Sequence, residues 1–486
     1  MRKTAAIIGG GVIGGGWAAR FLLNGWNVNI SDPDPEAKRK INEVLANARR
    51  SLPGLSDVEM PVEGKLHFAV SIADAVVGAD WVQESVPERL DIKHNIIAEI
   101  QQHCRADAVI GSSTSGFKPS DLQQGASAPS QIIVCHPFNP VYLLPLVEVV
   151  GGEQAAPEIV EKASGILSAL GMKPLLIKKE IDAHIADRLL EAVWREGLWL
   201  IKDGIATTEE LDDAIRFGFG IRWAQMGLFE TYRVAGGEAG MEHFIAQFGP
   251  CLEWPWTKLM DVPDLTDDLV KKIASQSDAQ SGMHTIRELE RIRDDNLVAM
   301  MRALKGQNWG AGALLNTYDA RIKNAESAEI DYSKPIRTVA RSIPIDWVDY
   351  NGHMNESRYL QNFCDATDRF MELIGCDAEY IANGGSYFTV ETHIRHLSEV
   401  HAGARTYTTT QCLSGEGKKM HLFHRMHHTD GTLLATGEHM LVHVSLATRK
   451  ASSPSNEISR RLEEISRMHA NLLMPEGAGR AIGQKR

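Results

Sequence analysis

The chain has 486 residues, of which 43% are hydrophobic, and a formal net charge of −12. A single hydrophobic core rarely serves so long a chain, so two or three domains are expected. The acidic balance argues against a protein that binds nucleic acid through its phosphates and against a polybasic membrane-binding surface.

The beginning of the chain and its cysteines predict a soluble, cytoplasmic protein. Met1-Arg-Lys passes directly into a short apolar run, without the longer apolar core of a signal peptide, and no apolar stretch approaches the length of a membrane span. The six cysteines form no Cys-x-x-Cys pair. We therefore expect reduced thiols, and neither a disulfide framework nor a zinc site.

A glycine-rich loop follows the first predicted strand. The apolar residues 4–8 lead into Gly9-Gly10-Gly11-Val12-Ile13-Gly14, and a helical pattern follows over 15–23. In the pattern G-x-G-x-x-G the glycines permit a tight turn, the approach of a pyrophosphate and close packing of helix on strand. A second strand over 28–32 ends in Asp32, whose carboxylate would bind a ribose 2′-hydroxyl and repel a 2′-phosphate. These residues predict NAD as the cofactor.

Strands and helices continue to alternate along the first 180 residues. Strands are expected over 66–70, 81–84, 108–112 and 131–135, and helices over 72–77 and 90–103. Such alternation is typical of a doubly wound parallel sheet, so residues 1–180 are predicted to form an α/β Rossmann domain. Ligands bind beyond the carboxyl ends of such strands, and Glu84, Ser115 and His136 each follow a strand end.

His136 and Glu148 are a candidate base and its orienting acid. They lie twelve residues apart around a proline-punctuated turn. An alcohol that gives up hydride must also lose its hydroxyl proton, and a neutral imidazole is suited to accept it. A nearby carboxylate would hold the tautomer of the ring and stabilise the imidazolium. The pair alone is not specific, because many chains have a His and a Glu at such a distance.

Five short motifs add to this pair. They are Gly9-x-Gly-x-x-Gly14, Glu84-Ser-Val-Pro-Glu88, Ser112-Ser-Thr-Ser-Gly116, His136-Pro-Phe-Asn-Pro140 and Leu146-Val-Glu-Val149. With them, residues 4 to about 320 resemble the 3-hydroxyacyl-CoA dehydrogenase family, including its lambda-crystallin branch. The resemblance implies a helical second domain and these site residues: His136 as base, Glu148 as its orienter, Ser115 on the substrate hydroxyl, Asn139 in the adjoining turn and Glu84 at the cofactor.

An all-helical substrate and dimerisation domain is expected over 181–325. Its opening departs from the family pattern, because Ala183-His-Ile-Ala-Asp-Arg188 stands where the family typically has Gly-Phe-Ile-Val-Asn-Arg. The active-site asparagine of the family thus corresponds to Asp187. A carboxylate there would disfavour an anionic ligand and favour a cation. Alternatively, Asp187 is a helix-surface acid that pairs with Arg188 or Arg195.

Tryptophans are frequent in this helical part. Most are expected in the core, but an aromatic wall beside the site would attract a quaternary ammonium. The candidates are Trp194, near Trp199 in the Asp187 helix, and Trp223, in a loop over 218–227; the others are Trp254 and Trp256. The opening motif, Trp194-Arg-Glu196 and an appended domain resemble the carnitine-oxidising branch of the family. That resemblance implies a short 3-hydroxy acid with a trimethylammonium group as substrate.

The appended domain is expected over 336–450, after a helix end and linker at 316–335. Strands are predicted over 337–345, 387–396, 404–414, 419–428 and 433–446, and a helix over 356–374. One long helix against antiparallel strands is the α+β hotdog arrangement, in which two copies usually pair edge to edge. The whole chain is therefore predicted to be multidomain and to form a homodimer.

The turn Pro344-Ile-Asp-Trp-Val-Asp-Tyr-Asn-Gly-His-Met-Asn355 resembles the acyl thioesterases of the hotdog superfamily. The resemblance implies Asp349 as the catalytic acid and Asn351 and His353 as substrate residues. Thioester hydrolysis needs a carboxylate that activates water or attacks the thioester directly. It also needs N–H groups that stabilise the oxyanion, which Gly352 to Asn355 at a helix start would supply. Alternatively, Asp349 is a structural acid in a capping turn.

Other polar residues of this domain are weaker candidates. Glu391, on a strand, could face the same cleft. Four histidines, His421, His424, His427 and His428, lie on or just after one strand. Because His421 and His424 point to opposite faces of that strand, no metal site is expected among the four. Residues 451–486 are expected to form an exposed helix to about 471 and a frayed, Gly-rich end.

Taken together, the two resemblances imply a bifunctional catabolic enzyme. Its first part would oxidise L-carnitine to 3-dehydrocarnitine with NAD. Its hotdog domain would hydrolyse betainyl-CoA, a CoA thioester, to glycine betaine and CoA, so that both sites recognise one trimethylammonium group. The alternative is a 3-hydroxyacyl-CoA or L-gulonate-type dehydrogenase with a non-catalytic hotdog module for dimerisation.

Overall fold

The structure is a computed structural model. It describes residues 2–482 except 237, 239, 251–256, 259–263, 265 and 326–329. The chain forms two compact units, residues 1–48 with 62–318 and residues 49–61 with 319–486. Within the described ranges, no helix combines the length and apolar composition needed to cross a membrane.

The first unit is built on a mixed sheet, with the strand order β3-β2-β1-β4-β5-β6-β7-β8. The strands are β1 (Thr4–Ile8), β2 (Asn27–Ser31), β3 (Leu66–Phe68), β4 (Trp81–Glu84), β5 (Val109–Ser112), β6 (Ile132–Pro137), β7 (Leu146–Val150) and β8 (Lys173–Leu176). The strands up to β6 pair in parallel, as predicted, whereas β7 runs antiparallel to β6. The expectation of a wholly parallel sheet is therefore wrong at this edge.

Helices cover this sheet, and their apolar sides meet the buried strands. Those of the Rossmann part are α1 (Val12–Leu23), α2 (Ala37–Ser51), α3 (Ile72–Val76), α4 (Leu90–His103), α5 (Pro119–Gln123) and α6 (Pro157–Ala169). One core cluster joins Ile97 and Ile100 of α4 to Ile110, Ile132 and Val134 of the strands. The alternation of strands and helices in the sequence thus produced the predicted Rossmann domain.

The rest of the first unit is helical. The helices are α7 (Ala186–Lys202), α8 (Thr208–Ala214), α9 (Gly220–Ala235), α10 (Gly240–Phe248), α11 (Asp267–Ser281), α12 (Ile286–Gly306) and α13 (Ala311–Ala325). Thr207 caps α8 through a capping box with Glu210. The segment expected to be a loop over 218–227 is instead a π-helical turn, Ile215–Phe219, followed by α9, with non-helical backbone only at Gly218 and Gly227. Helix α13 also covers the start of the predicted linker.

The second unit is a hotdog-like sheet around one long helix. The sheet has the order β10-β13-β12-β11-β9, and a short strand pairs with β13. Its strands are β9 (Ile336–Ser342), β10 (Gly385–His396), β11 (Arg405–Glu416), β12 (Lys419–His428), β13 (Leu433–Ser445) and β14 (Lys450–Ala451); its helices are α14 (Glu356–Ile374), α15 (Ala378–Ala382) and α16 (Asn456–His469). Phe363, Phe370 and Ile374 of α14 are fully buried in two core clusters.

The C-terminal helix is not the exposed helix that was expected. Ile458, Leu462 and Ile465 of α16 belong to the core of the second unit, and His469 accepts a hydrogen bond from the amide of Cys412 over 2.9 Å. The amide of Gly479 donates to both carboxylate oxygens of Glu438 at 2.9 Å. These apolar residues recur at intervals of four and three residues, so they lie on one side of α16, and that side packs in the core.

Residues 49–61, which are the last turn of α2 and the segment after it, belong to the second unit although they precede β3 in the Rossmann sequence. Arg337 and Arg405 each form an ion pair with Glu59, at 2.6 and 2.7 Å, and Ser56 donates to Asp319 over 2.7 Å. A truncation that removes the appended domain would therefore also remove the partners of this segment. Point substitutions are the better way to separate the two units.

Candidate active sites

The glycine loop has the geometry that a dinucleotide requires. Gly9 has φ +99°, and a Cβ there would lie 2.5 Å from the carbonyl oxygen of Ser85. A Cβ on Gly14 would lie 1.8 Å from the carbonyl oxygen of Gly9, whereas one on Gly11 would project into open space. Gly11 precedes the N-terminus of α1. A side chain at Gly11 would fill the space that a pyrophosphate needs beside the helix N-terminus.

Asp32 lies at the same loop. Its Oδ2 accepts the amide of Gly10 over 2.5 Å, and its Oδ1 accepts the amide of Asp34 over 2.7 Å. The carboxylate is thus held next to the glycines at the end of β2, where a ribose hydroxyl would meet it. The loop and Asp32 fit NAD.

His136 and Glu148 lie directly opposite each other on the antiparallel strands β6 and β7. Nδ1 of His136 lies 3.0 Å from Oε2 of Glu148, and both residues are buried. The amides of Ile185 and Ala186 donate to Oε1 of Glu148 at 2.9 Å. Burial opposes the charge on Glu148, but the bonds from His136 and the two amides outweigh it and lower its pKa. A charged Glu148 directs the Nδ1 proton inward and leaves Nε2 free for a substrate.

Asp187 lies at the other nitrogen of the imidazole. Its Oδ2 is 3.8 Å from Nε2 of His136, and its side chain is only 17% exposed. Burial raises the pKa of Asp187. Arg188 instead donates to the backbone carbonyl of Asp182. The structure therefore brings Asp187 to the candidate base and does not show the surface pairing with Arg188 that was the alternative.

Ser115 and Asn139 are both exposed, after β5 and after β6 respectively. Glu84 differs from its expected position at the cofactor, because its carboxylate is fully buried and bound inside the protein. Lys93 lies 2.9 Å from one of its oxygens, and the Ser112 hydroxyl donates to the other over 2.5 Å. We interpret Glu84 as a structural acid beneath the Ser112–Gly116 loop.

Three tryptophans of the helical part, Trp194, Trp199 and Trp223, lie in different surroundings. Trp194 on α7 is 60% exposed. Trp223 is half-buried on α9 and packs against Phe219, with ring centroids 4.5 Å apart. Trp199 contacts the ammonium groups of two lysines, Lys202 and Lys258. Trp254 and Trp256 lie outside the described residues.

In the second unit, Asp349 lies in a tight turn before α14. Its Oδ1 accepts the amide of Asn351 over 2.9 Å, and Asn355 caps the helix. The amides of Gly352, Met354 and Asn355 donate to backbone carbonyls at 2.8–2.9 Å. These three amides are therefore not free to hold an oxyanion. In the first turn of α14, the amides of Ser357 and Arg358 likewise donate to Asn355. What this helix start offers an oxyanion is the positive end of the helix dipole.

Two residues beside this turn were not anticipated from the sequence. Nε2 of His353 lies 3.3 Å from Glu399, and its ring contacts that of His401 with centroids 4.7 Å apart. A β-bridge between His353 and His401 brings this distant segment to the turn. Glu391, by contrast, is exposed on β10, at the edge of the sheet.

The remaining histidines of the second unit are divided between separate environments. His421 lies 2.7 Å from Glu438, whereas His424 is fully buried on the other side of β12. The Thr367 hydroxyl links His424 to His439 at 3.0 and 3.1 Å. Burial lowers the pKa of His439 to about 4 and that of His424 as well.

Acidification is expected to destabilise the second unit. His439 stays neutral in the folded chain until its pKa of about 4, whereas an unfolded histidine takes up a proton below about pH 6.5. Stability is therefore complete above pH 6.5 and is lost as the pH falls towards 4, by about 1 kcal/mol from His439 alone between pH 7 and 5.5. Thermal unfolding at both pH values measures this loss of stability. The loss should be smaller in H439Q and unchanged in H428Q. An equal loss in the wild type and both variants would show that His439 is not its source.

Family models match both parts of the chain. The NAD binding domain of 3-hydroxyacyl-CoA dehydrogenase matches residues 4–181, its C-terminal domain matches 184–274, and the thioesterase-like superfamily matches 343–462. The solved structure of 5-formyl-3-hydroxy-2-methylpyridine 4-carboxylic acid 5-dehydrogenase, an NAD⁺-dependent dismutase, is 29% identical and covers 63% of this chain and 99% of its own, with a TM-score of 0.55.

Curated relatives extend over the whole chain. The L-carnitine dehydrogenase/betainyl-CoA thioesterase of Ruegeria pomeroyi is 68% identical and covers 99% of both chains, and that of Rhizobium meliloti is 55% identical over the same shares. An L-carnitine dehydrogenase of Mesorhizobium japonicum is 62% identical over 66% of this chain and 89% of its own. The chain therefore belongs to the family of L-carnitine dehydrogenase/betainyl-CoA thioesterases.

Proposed function

We propose that the first unit oxidises the 3-hydroxyl of L-carnitine with NAD and that the second hydrolyses betainyl-CoA to glycine betaine and CoA. The observation that carries this proposal is the buried His136–Glu148 pair, with Asp187 at the free nitrogen of the base. Relatives that match the full length carry both activities in their names. The test is to mix purified chain with each substrate and measure NADH at 340 nm and free thiol, respectively.

In the dehydrogenase step, His136 acts as the base. Its Nε2 takes the hydroxyl proton of the substrate while the C3–H bond breaks and the C3–O bond becomes a carbonyl. NAD, held by the glycine loop and Asp32, would supply the hydride acceptor. Glu148 stabilises the imidazolium through its 3.0 Å contact with Nδ1, and Ser115 holds the substrate oxygen. The product is the 3-keto acid, and the proton leaves His136 for solvent.

Asp187 recognises the cation. The ammonium nitrogen of carnitine lies three covalent bonds from the hydroxyl oxygen that meets Nε2 of His136. Asp187 lies 3.8 Å from that same Nε2, so one substrate can reach both groups. In a site with little water, a carboxylate attracts such a cation strongly.

Replacing Asp187 by asparagine is expected to lower kcat/KM for L-carnitine about 100-fold, because the cation loses a largely buried partner. For 3-hydroxy-5,5-dimethylhexanoate, in which an uncharged tert-butyl group replaces the trimethylammonium group, the same variant should lower kcat/KM little. Initial rates at 340 nm give the ratio of wild-type to variant kcat/KM for each substrate. D182N is the matched control, since that acid of the same segment is 76% exposed. Equal losses for both substrates would mean that Asp187 serves the imidazolium and not the cation.

In the thioesterase step, Asp349 activates water. The carboxylate takes a proton from the water while the water oxygen attacks the thioester carbon. The C–S bond then breaks, and the proton passes to the thiolate of CoA. The positive end of the α14 helix dipole stabilises the oxyanion, while Asn351 and His353 contact the substrate. The carboxylate of Glu399, 3.3 Å from Nε2 of His353, orients this ring.

We further propose a cytoplasmic homodimer. NAD and CoA thioesters are held inside the cell, which supports the location. Exposed apolar side chains on α7 and α9 support self-association of the first unit: Leu189, Leu190, Trp194, Ile221 and Phe229, each more than half exposed. The open edge strand β10 offers a second contact. Sedimentation velocity and cell fractionation test these two statements.

A further inference from the structure

Two residues at the start of the helical part hold the loop that carries Ser115. The amide of Ala183 donates to the carbonyl of Gly116 over 3.1 Å, and Nε2 of His184 lies 3.2 Å from the carbonyl of Thr114. Ser115 is therefore fixed on both sides. Ala183 and His184 have φ values of +59° and +51°, which side chains other than glycine rarely adopt. Such a backbone persists only where its surroundings impose it.

The hydrogen bond to Thr114 decides the tautomer of His184. A carbonyl only accepts, so Nε2 must carry the proton and Nδ1 is bare. The side chain is fully buried, and burial lowers its pKa, so the ring stays neutral. Its ring centroid lies 5.6 Å from that of His136. In the part of the chain that the structure describes, Nδ1 has no hydrogen-bond partner.

The same short segment reaches the catalytic groups. The next two amides, of Ile185 and Ala186, bind Glu148, and Asp187 follows beside His136. A displacement of His184 would therefore be transmitted to both the base and the hydroxyl-binding loop. Phenylalanine, the usual residue of the family here, has a ring but no donor for the Thr114 carbonyl.

We propose that His184 is a positioning residue that holds Ser115 against the substrate hydroxyl through the Nε2–H bond to Thr114. This rests on the proposed function only for the identity of the alcohol. H184F removes the donor and keeps a ring, whereas H184Q keeps an N–H near the place of Nε2. H443F is the matched control, because His443, a buried histidine of the second unit, makes the same type of bond, 3.0 Å from its Nδ1 to the carbonyl of Ser452.

Hydrogen exchange tests the proposal without relying on activity. The peptide 112–118 should exchange about fivefold faster in H184F, the effect of losing one buried hydrogen bond, and at the wild-type rate in H184Q and H443F. Unchanged exchange in H184F would overturn the proposal. A wild-type chain without NADH formation from L-carnitine would overturn the proposed function and leave this result standing.

A double-mutant cycle supplies the kinetic test. H184F should raise KM for L-carnitine about fivefold in the wild-type chain but less than twofold in S115A, because the two residues act through one contact. H184Q should restore the wild-type KM. A full fivefold effect of H184F in S115A would show that His184 does not act through Ser115.

Discussion

Replacing His136 by asparagine is expected to lower kcat for the NAD-dependent oxidation about 1,000-fold, because the hydroxyl proton loses its acceptor. The asparagine amide can still donate to Glu148, which lies 3.0 Å from Nδ1 of His136, so the buried carboxylate keeps a partner. NAD affinity should not change, since the glycine loop and Asp32 are untouched. Stopped-flow or steady-state measurements at 340 nm give kcat, and titration calorimetry gives the NAD affinity.

The two activities of one chain provide the control for H136N. Hydrolysis of betainyl-CoA should continue at the wild-type rate, which shows that the variant folds. E148Q should also lower kcat, and H136N/E148Q should be little worse than H136N, because the two residues work as a unit. A kcat for H136N within tenfold of the wild type would contradict the role of His136 as base.

Replacing Asp349 by asparagine is expected to lower the rate of betainyl-CoA hydrolysis about 1,000-fold, because no carboxylate remains to activate water. The turn should survive, since the asparagine carbonyl can accept the amide of Asn351 as Oδ1 of Asp349 does over 2.9 Å. Release of free thiol measures the rate.

D346N is the matched control for D349N, because it removes an exposed acid from the same turn. Both variants should form NADH from L-carnitine at the wild-type rate. Rapid hydrolysis by D349N would mean that the carboxylate only caps the turn. In that case Glu399, 3.3 Å from His353, becomes the acid to replace next.

The elements of the fold were largely predictable, because each has a strong local signal. The strand at 4–8 and the helices at 90–103 and 356–374 occur at the predicted residues. β7 was missed, because a short apolar run after a proline-rich turn does not show whether it is paired. Its pairing with β6 makes His136 and Glu148 direct neighbours. The packing of α16 could have been predicted, because the spacing of its apolar residues places them on one side of the helix.

The site was predictable only where a motif specifies a residue. The glycine loop, Asp32 and the His136–Glu148 pair follow from such motifs. The burial of Glu84 depends on Lys93, nine residues later on a helix that folds back over it. The approach of Asp187 to His136 and the bond of His184 to Thr114 join distant segments, and no local pattern encodes such contacts.

The specificity of the first unit is the most direct test of the central claim, that Asp187 and His136 select a cationic 3-hydroxy acid. The measurement is NADH formation at 340 nm by the full chain with L-carnitine, D-carnitine, L-gulonate and 3-hydroxybutyryl-CoA under identical conditions. We expect L-carnitine to give the highest kcat/KM, at least 100-fold above 3-hydroxybutyryl-CoA, whose uncharged C4 methyl gives Asp187 no cation to bind. A higher kcat/KM for 3-hydroxybutyryl-CoA or L-gulonate than for L-carnitine would contradict the account.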